Sequence, residues 1–353
     1  MNVYSDNYEA IFKEWGDFKS FLESNPIKWV PLQSGRLRVT TKRKGNSEAE
    51  KETAFYLNQS RRVKETIPLS ESAVRQLVTL MGVDCPLWGK LPNDKKEELL
   101  NLAFRCADNR KIRVPMRFEK ARGAVSDRYV ELKAEDVFQR ALDVLPDVFS
   151  DTVEFHSGCY QHSLSTITLF SKPDNLHIYK DQLEKMGVKE DLSDMKVEVE
   201  ISTSETAEGT VRCALFLQTK THRILLGSPV QIRHMGMASL QKWTNSLGLL
   251  TAASDDFMKS IVRLQSNTLS YPKNTYISLG KAIGLSKKAL AASYDYLETT
   301  GDTALAVYFA LADAVNNTCK TAKNITTKIS LQENLARALR CSFPWENYDT
   351  PLD

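Results

Sequence analysis

His156, Cys159 and His162 stand at three-residue spacing in FHSGCYQHSLST, residues 155–166. Imidazole and thiolate are zinc ligands, and a thiol beside a histidine can serve as a nucleophile. A structural zinc site takes four ligands, and no fourth follows at a familiar spacing. Asp151 and Glu154 add carboxylates close by. On a strand, however, Glu154 and His156 share one face and Asp151 does not. Gly158 and the short polar residues suggest a turn feeding a strand over 164–170. No catalytic residue, metal or cofactor is therefore assigned, and a non-enzymatic role is expected. An enzyme using the 156–162 cluster, or His234, remains as an alternative. The chain holds no GxxxxGK[S/T] loop, GxGxxG, HExxH, nucleophile elbow or kinase signature.

The second chemical signal is cationic. Arg105, Arg110, Lys111, Arg113, Arg117, Lys120, Arg122, Arg128 and Lys133 are offset only by Asp108, Glu119, Asp127 and Glu131. KIRVPMRF (111–118) alternates as a strand, with Pro115 marking an edge or bulge. Its pattern sets Ile112, Val114 and Met116 toward a core and Lys111, Arg113 and Arg117 outward. A basic groove for phosphates is the expectation, built from Lys111, Arg113, Arg117, Arg122 and Arg128. Arg61 and Arg62 assist from the basic segment over 36–64, and Phe118 and Tyr129 stack on splayed bases. The competing reading is a solvated face with local acidic partners, SDRY (126–129) being a turn.

These residues need elements to hold them. The stripe Ile11, Trp15, Phe18 and Leu22 predicts a helix closed by Pro26. Residues 36–64 read as a short basic strand and a mobile loop. Ser70 caps a helix ending near Gly82, and Asn93 or Asp94 caps another. Residues 134–145 predict a helix stopped by Pro146. From 151 onward, strands are expected at 153–155, 164–170, 195–203, 211–218, 222–226 and 230–234. Their short separations favour antiparallel neighbours. Leu240 to Leu264 traces one long apolar stripe, interrupted at Gly248, which is expected to pack against a helix over 302–315. The expected fold is α+β: a central antiparallel sheet flanked by helices, with a helical C-terminal third. Three regions follow: 1–64, an N-terminal helix and basic mobile segment; 65–235, the α+β core; and 236–353, helices packed on that core.

With 353 residues, 42% hydrophobic and 26% charged, the composition is that of a folded globular chain. The net charge of +3 says little about partners. Six cysteines without a CxxC read as reduced thiols in a reducing compartment. No apolar run approaches a membrane span, and the polar N-terminus is not a signal peptide. A cytoplasmic protein with no membrane partner is expected.

RGAVSDRY (122–129) resembles the arginine-then-SDRY segment of an uncharacterised family described as phage/plasmid-like proteins. Ser157–Gly158, Ile232–Gly236 and DTALAVYFALADA (302–314) are similar in order, so the resemblance spans about 110–320. It implies a protein of a phage or other mobile element in a bacterial host cell, beside replication and recombination functions. Together with the basic segments it suggests binding of single-stranded DNA or other nucleic acid without sequence-specific readout, possible homo-oligomers included. The alternative is a phage structural or assembly protein that oligomerises through its C-terminal helices.

Overall fold

The computed structural model describes residues 3, 5–44, 52–59, 66–107, 109–171, 176–185, 194–206, 208–220, 222–250, 259–321, 325–340 and 342–351. Arg61 and Arg62 lie outside the described residues. In chain order the elements begin with β1 (Glu9–Phe12), α1 (Trp15–Ser24), β2 (Lys28–Gln33), β3 (Leu37–Lys44), β4 (Glu52–Gln59) and β5 (Thr66–Pro68). Then come α2 (Glu71–Leu80), α3 (Asn93–Cys106), β6 (Lys111–Arg117), β7 (Lys120–Ala121), β8 (Val125–Ser126) and α4 (Ala134–Phe149). The middle of the chain holds β9 (Val153–Gln161), β10 (Ser165–Ser171), α5 (Leu176–Lys185), β11 (Lys196–Thr203), β12 (Val211–Gln218) and β13 (Arg223–Ile232). The last third is helical: α6 (Leu240–Leu247), a helical stretch over 259–265, α7 (Pro272–Ile283), α8 (Lys287–Ala292), α9 (Tyr294–Thr300), α10 (Ala304–Thr321) and α11 (Ile325–Arg337).

The fold is α+β. Its centre is a six-stranded antiparallel sheet in the order β1-β9-β10-β11-β12-β13. One face meets α1, α4 and α6. Ile167, Leu169, Val199, Ile201, Cys213 and Leu215 bury there with Phe18, Phe138 and Trp243. Alternation along β11 explains this, since Val197, Val199 and Ile201 share a side. The opposite side of the same strands carries charge. Glu198 and Glu200 accept from Arg223 at 2.7 and 2.8 Å, and Arg212 donates to Glu200 at 3.0 Å and to Glu333 of α11 at 3.4 Å. Burial would raise the Glu200 carboxyl, but Arg223 and Arg212 outweigh it and hold it below its ordinary value.

A smaller lobe precedes this sheet. β2, β6 and β7 pair in that order, with β8 also on β6. β3, β4 and β5 form a separate three-stranded sheet. Both cover a core of Val39, Leu57, Leu77, Phe104, Ile112 and Val114. The outer edge of β3 is closed by side chains of α3. Asn101 accepts from Val39 N and donates to Val39 O, both at 2.8 Å, and Glu97 accepts from Thr41 N at 2.7 Å.

Several expectations are corrected. Ile11 is not on a helix; β1 pairs with β9, and Ile11 lies 70% exposed at the sheet edge. Residues 52–59 are a strand opposite β3 rather than loop. β6 is central rather than an edge; β8 pairs at 112–113 and β7 at 116–117, and between them Pro115 takes part through its carbonyl alone, accepting from Arg122 N at 2.8 Å. α4 runs through Pro146 to Phe149 and ends at Ser150, which has φ 51°. The lost hydrogen bond is outweighed by a stripe of Val137, Phe138, Ala141 and Leu145, all buried. Gly158 is in strand, not in a turn. A Cβ there would fall 2.4 Å from the Phe18 ring, so the close approach of α1 to β9 requires glycine. The 240–264 stripe is broken where the sequence marks it, at Gly248: α6 ends at Leu247, and Gly248 begins a tighter turn. α6 packs on α4, with Trp243 Nε1 donating to Val137 O at 3.1 Å. α10 packs among α7, α8, α9 and α11, and its start meets the chain just after the 259–265 helix, Ala304 N donating to Asn267 O at 2.8 Å. Its apolar positions are buried almost all round, from Ala304 to Ala312 without interruption.

Candidate functional site

The sequence predicted a groove of arginines, and the folded chain divides that set. Lys111 and Arg128 are exposed. Arg113 is half-buried: its guanidinium lies 4.5 Å from the Trp29 ring centre and donates to Tyr129 O at 3.2 Å. Arg117 and Arg122 are interior. Arg117 pairs with Glu205 at 3.0 Å, and its side chain is 5% exposed. Arg122 meets Asp6 at 3.3 Å and donates to Val3 O at 2.9 Å, with 1% exposure. Neither faces a solvent groove. Tyr129 is also buried, its ring 5.0 Å from His234 in a near-parallel stack and its hydroxyl donating to Ser204 O. Phe118 is half-buried in an aromatic group with Tyr8 and His162. These placements correct the expectation that Arg117, Arg122 and Tyr129 present themselves to bases and phosphates.

RGAVSDRY is thus mainly a clamp between the two lobes. Arg122 anchors the N-terminal segment, and Tyr129 reaches the end of β11. Gly123 lets Thr206 O approach so closely that a Cβ would lie 2.8 Å from it. Gln76 of α2 completes the join, donating to Thr206 O and accepting from Ala124 N, each at 2.7 Å.

The 156–162 residues do not converge on one site. β9 bulges at His156, whose ring packs on Phe170 at 4.4 Å. Cys159 donates to Glu9 Oε1 at 3.3 Å. Burial, with Glu9 adding to it, pushes that thiol up to about 12, which leaves little nucleophilic thiolate near neutrality. Among the described residues, no group of three or more His, Cys, Asp or Glu side chains is placed to hold a metal.

His162 receives the Tyr160 hydroxyl at Nδ1 and donates from Nε2 to Val3 O, both at 3.1 Å, in its neutral form. Burial, then the Arg122 charge, pushes it down to about 4. The unfolded chain protonates this residue near pH 6.5 and the folded chain does not until about 4. Stability is therefore complete above about pH 6.5 and declines as pH falls toward 4. Urea midpoints measured across this window should fall with acidification, and His162→Gln should flatten that fall.

A large opening lies where the lobes meet. This cleft has a volume of about 1050 Å³, beyond the roughly 300–1,000 Å³ usual for small-molecule pockets. α2 supplies Glu71, Arg75, Gln76 and Thr79; β8 and its turn supply Ser126 and Tyr129; the sheet supplies Gln161, Ser202, Arg212 and Gln231; α11 supplies Glu333. Most of these offer amide or hydroxyl groups. Arg75 pairs with Glu208 across it, and Arg212 pairs with Glu333. Exposed cations stand next in sequence to lining residues: Arg128 between Ser126 and Tyr129, and Arg233 between Gln231 and Met235. Lys111 is exposed on the same lobe, on the opposite face of β6 from Ile112 and its partner Ser126. Asp127 is the acid beside them. Neither Arg233 nor the cleft itself leaves a local signal in the sequence, because seven separate elements build the named walls.

No family model matches the chain, and no curated protein or solved structure matches it either. Among the described residues, no helix is long and apolar enough to cross a membrane.

Proposed function

We propose that the protein binds single-stranded nucleic acid in the cleft between its lobes, without base-specific readout. The observation that carries this reading is a large, open cleft with amide and hydroxyl groups among its lining, beside which Arg128 and Arg233 stand exposed next to lining residues in sequence, with Lys111 exposed on the same lobe. The lining arginines and two of the lining glutamates neutralise one another, so the attraction for phosphate comes from the flanking cations. Amide and hydroxyl groups on the walls suit sugars, phosphates and base edges alike. The resemblance to phage/plasmid-like proteins supports a setting in the cytoplasm of a bacterial host, beside replication or recombination of a mobile element.

The test is a binding titration with single-stranded DNA and RNA over a range of salt concentrations. Each phosphate neutralised contributes about 0.7 to the logarithmic salt slope of a single strand. Lys111→Gln, Arg128→Gln and Arg233→Gln should each reduce the slope by up to about that amount, with circular dichroism unchanged. Wild-type protein that shows no salt-sensitive binding at micromolar concentration overturns the reading.

A further inference from the structure

The outer face of the β3–β4–β5 sheet carries a second surface with the chemistry of strand binding. The inner face is fixed by Val39 opposite Leu57, both buried. Alternation then turns Arg38, Thr40 and Lys42 of β3 outward, with Tyr56 and Asn58 of β4 beside them. Arg38 and Lys42 are exposed, and among the described residues neither has a carboxylate partner. They stand about 13 Å apart along the strand, at roughly 3.3 Å per residue. Between them Tyr56, half-buried, lies opposite Thr40, and the Lys42 ammonium sits 5.2 Å from its ring centre. Asn58 Nδ2 donates to Thr40 Oγ1 at 3.0 Å, which holds the hydroxyl and amide in place beside the ring. A cation, an aromatic ring and a second cation thus share one face of a sheet whose β3 edge is already closed by Asn101 and Glu97.

We infer that this face is a contact surface for single-stranded nucleic acid, with a base stacked on Tyr56 and phosphates on Arg38 and Lys42. The inference rests on the nucleic-acid reading of the cleft and adds a site separate from it. A base displaces the Lys42 ammonium from the ring, and that ammonium turns to the adjoining phosphate. Duplex DNA cannot offer an unstacked base, so the surface discriminates single strands from double strands. An OB-fold uses the same combination of sheet, ring and cations on unrelated architecture, and the likeness here is of chemistry alone.

The experiment uses the full chain and a 5-iodouracil-substituted oligothymidine, with titration and photocrosslinking read together. Tyr56→Ala should weaken binding about tenfold and abolish crosslinking at residue 56, while Tyr56→Phe retains both. Arg38→Gln with Lys42→Gln should reduce the salt slope without altering the urea midpoint. Wild-type binding that Tyr56→Ala and the double variant leave unchanged overturns this inference and leaves the cleft reading standing. Binding lost in Tyr56→Ala but kept when Lys111, Arg128 and Arg233 are replaced supports the sheet face and overturns the cleft. Absence of wild-type binding overturns both.

Discussion

Glu205→Ala is expected to lower stability by about 3–5 kcal/mol, read as a shift of the urea unfolding midpoint. The carboxylate is the ion-pair partner of Arg117, and the two side chains are 8% and 5% exposed. Its loss strands a guanidinium in the interior, where desolvation is no longer offset. Glu205 also accepts from Ala134 N at 3.2 Å, at the start of α4, so a helix terminus loses its partner in the same step. Burial acts against the Arg117 charge, yet Glu205, with Tyr160 behind it, holds the group above its ordinary value. Replacing both partners by apolar residues of similar volume should restore much of the loss. The result bears directly on binding assays. A loss seen in Arg117→Gln would report unfolding, whereas the exposed Arg128 can be replaced in a folded protein and so tests the proposed contact itself.

Trp243→Ala should cost about 3–5 kcal/mol, with unfolding followed by far-ultraviolet circular dichroism. The indole is wholly buried and joins α6 to α4, donating to Val137 O at 3.1 Å. Truncation leaves a cavity and removes the indole's hydrogen bond, Val137 O keeping only its partner within α4. Trp243→Phe should cost less, because ring volume is largely retained and only the hydrogen bond is lost. Comparison of the two variants separates packing from hydrogen bonding.

Strand alternation made much of the sheet legible in the sequence. MKVEVEIST shows β11 plainly, and Ser70 with Gly82 marks the ends of α2. The destination of charge was not legible. Glu198 and Glu200 look like a solvated face, yet they are tied to Arg212 and Arg223 beneath α11. Arg117 and Arg122 have the same residue type as Arg128, but their partners are Glu205 and Asp6, far away in the chain. Local spacing carries no information about such partners. Ile11 failed for a related reason: its spacing fits a helix, but long-range pairing with β9 prevails. The cleft lay beyond reach because it is assembled from distant segments. Tyr56 did leave a trace, in the alternation of RVTTK with FYLN on adjoining strands, once their pairing is known.

The pairing of β1 with β9 also imposes a timetable on synthesis. Glu9 finds its place opposite Gln161, and Phe12 opposite Gly158, so about 150 residues separate the two strands. At about 5–20 residues per second, a ribosome needs on the order of ten to thirty seconds to supply the second strand. Within that interval β2 to β8 are already present, and the small lobe can close on its own core. The nascent chain therefore carries a folded lobe preceded by a strand with Ile11 and Phe12 still unpaired. That strand, like Phe18 and Leu22 of α1 behind it, has no partner to cover it until α4 and β9 emerge.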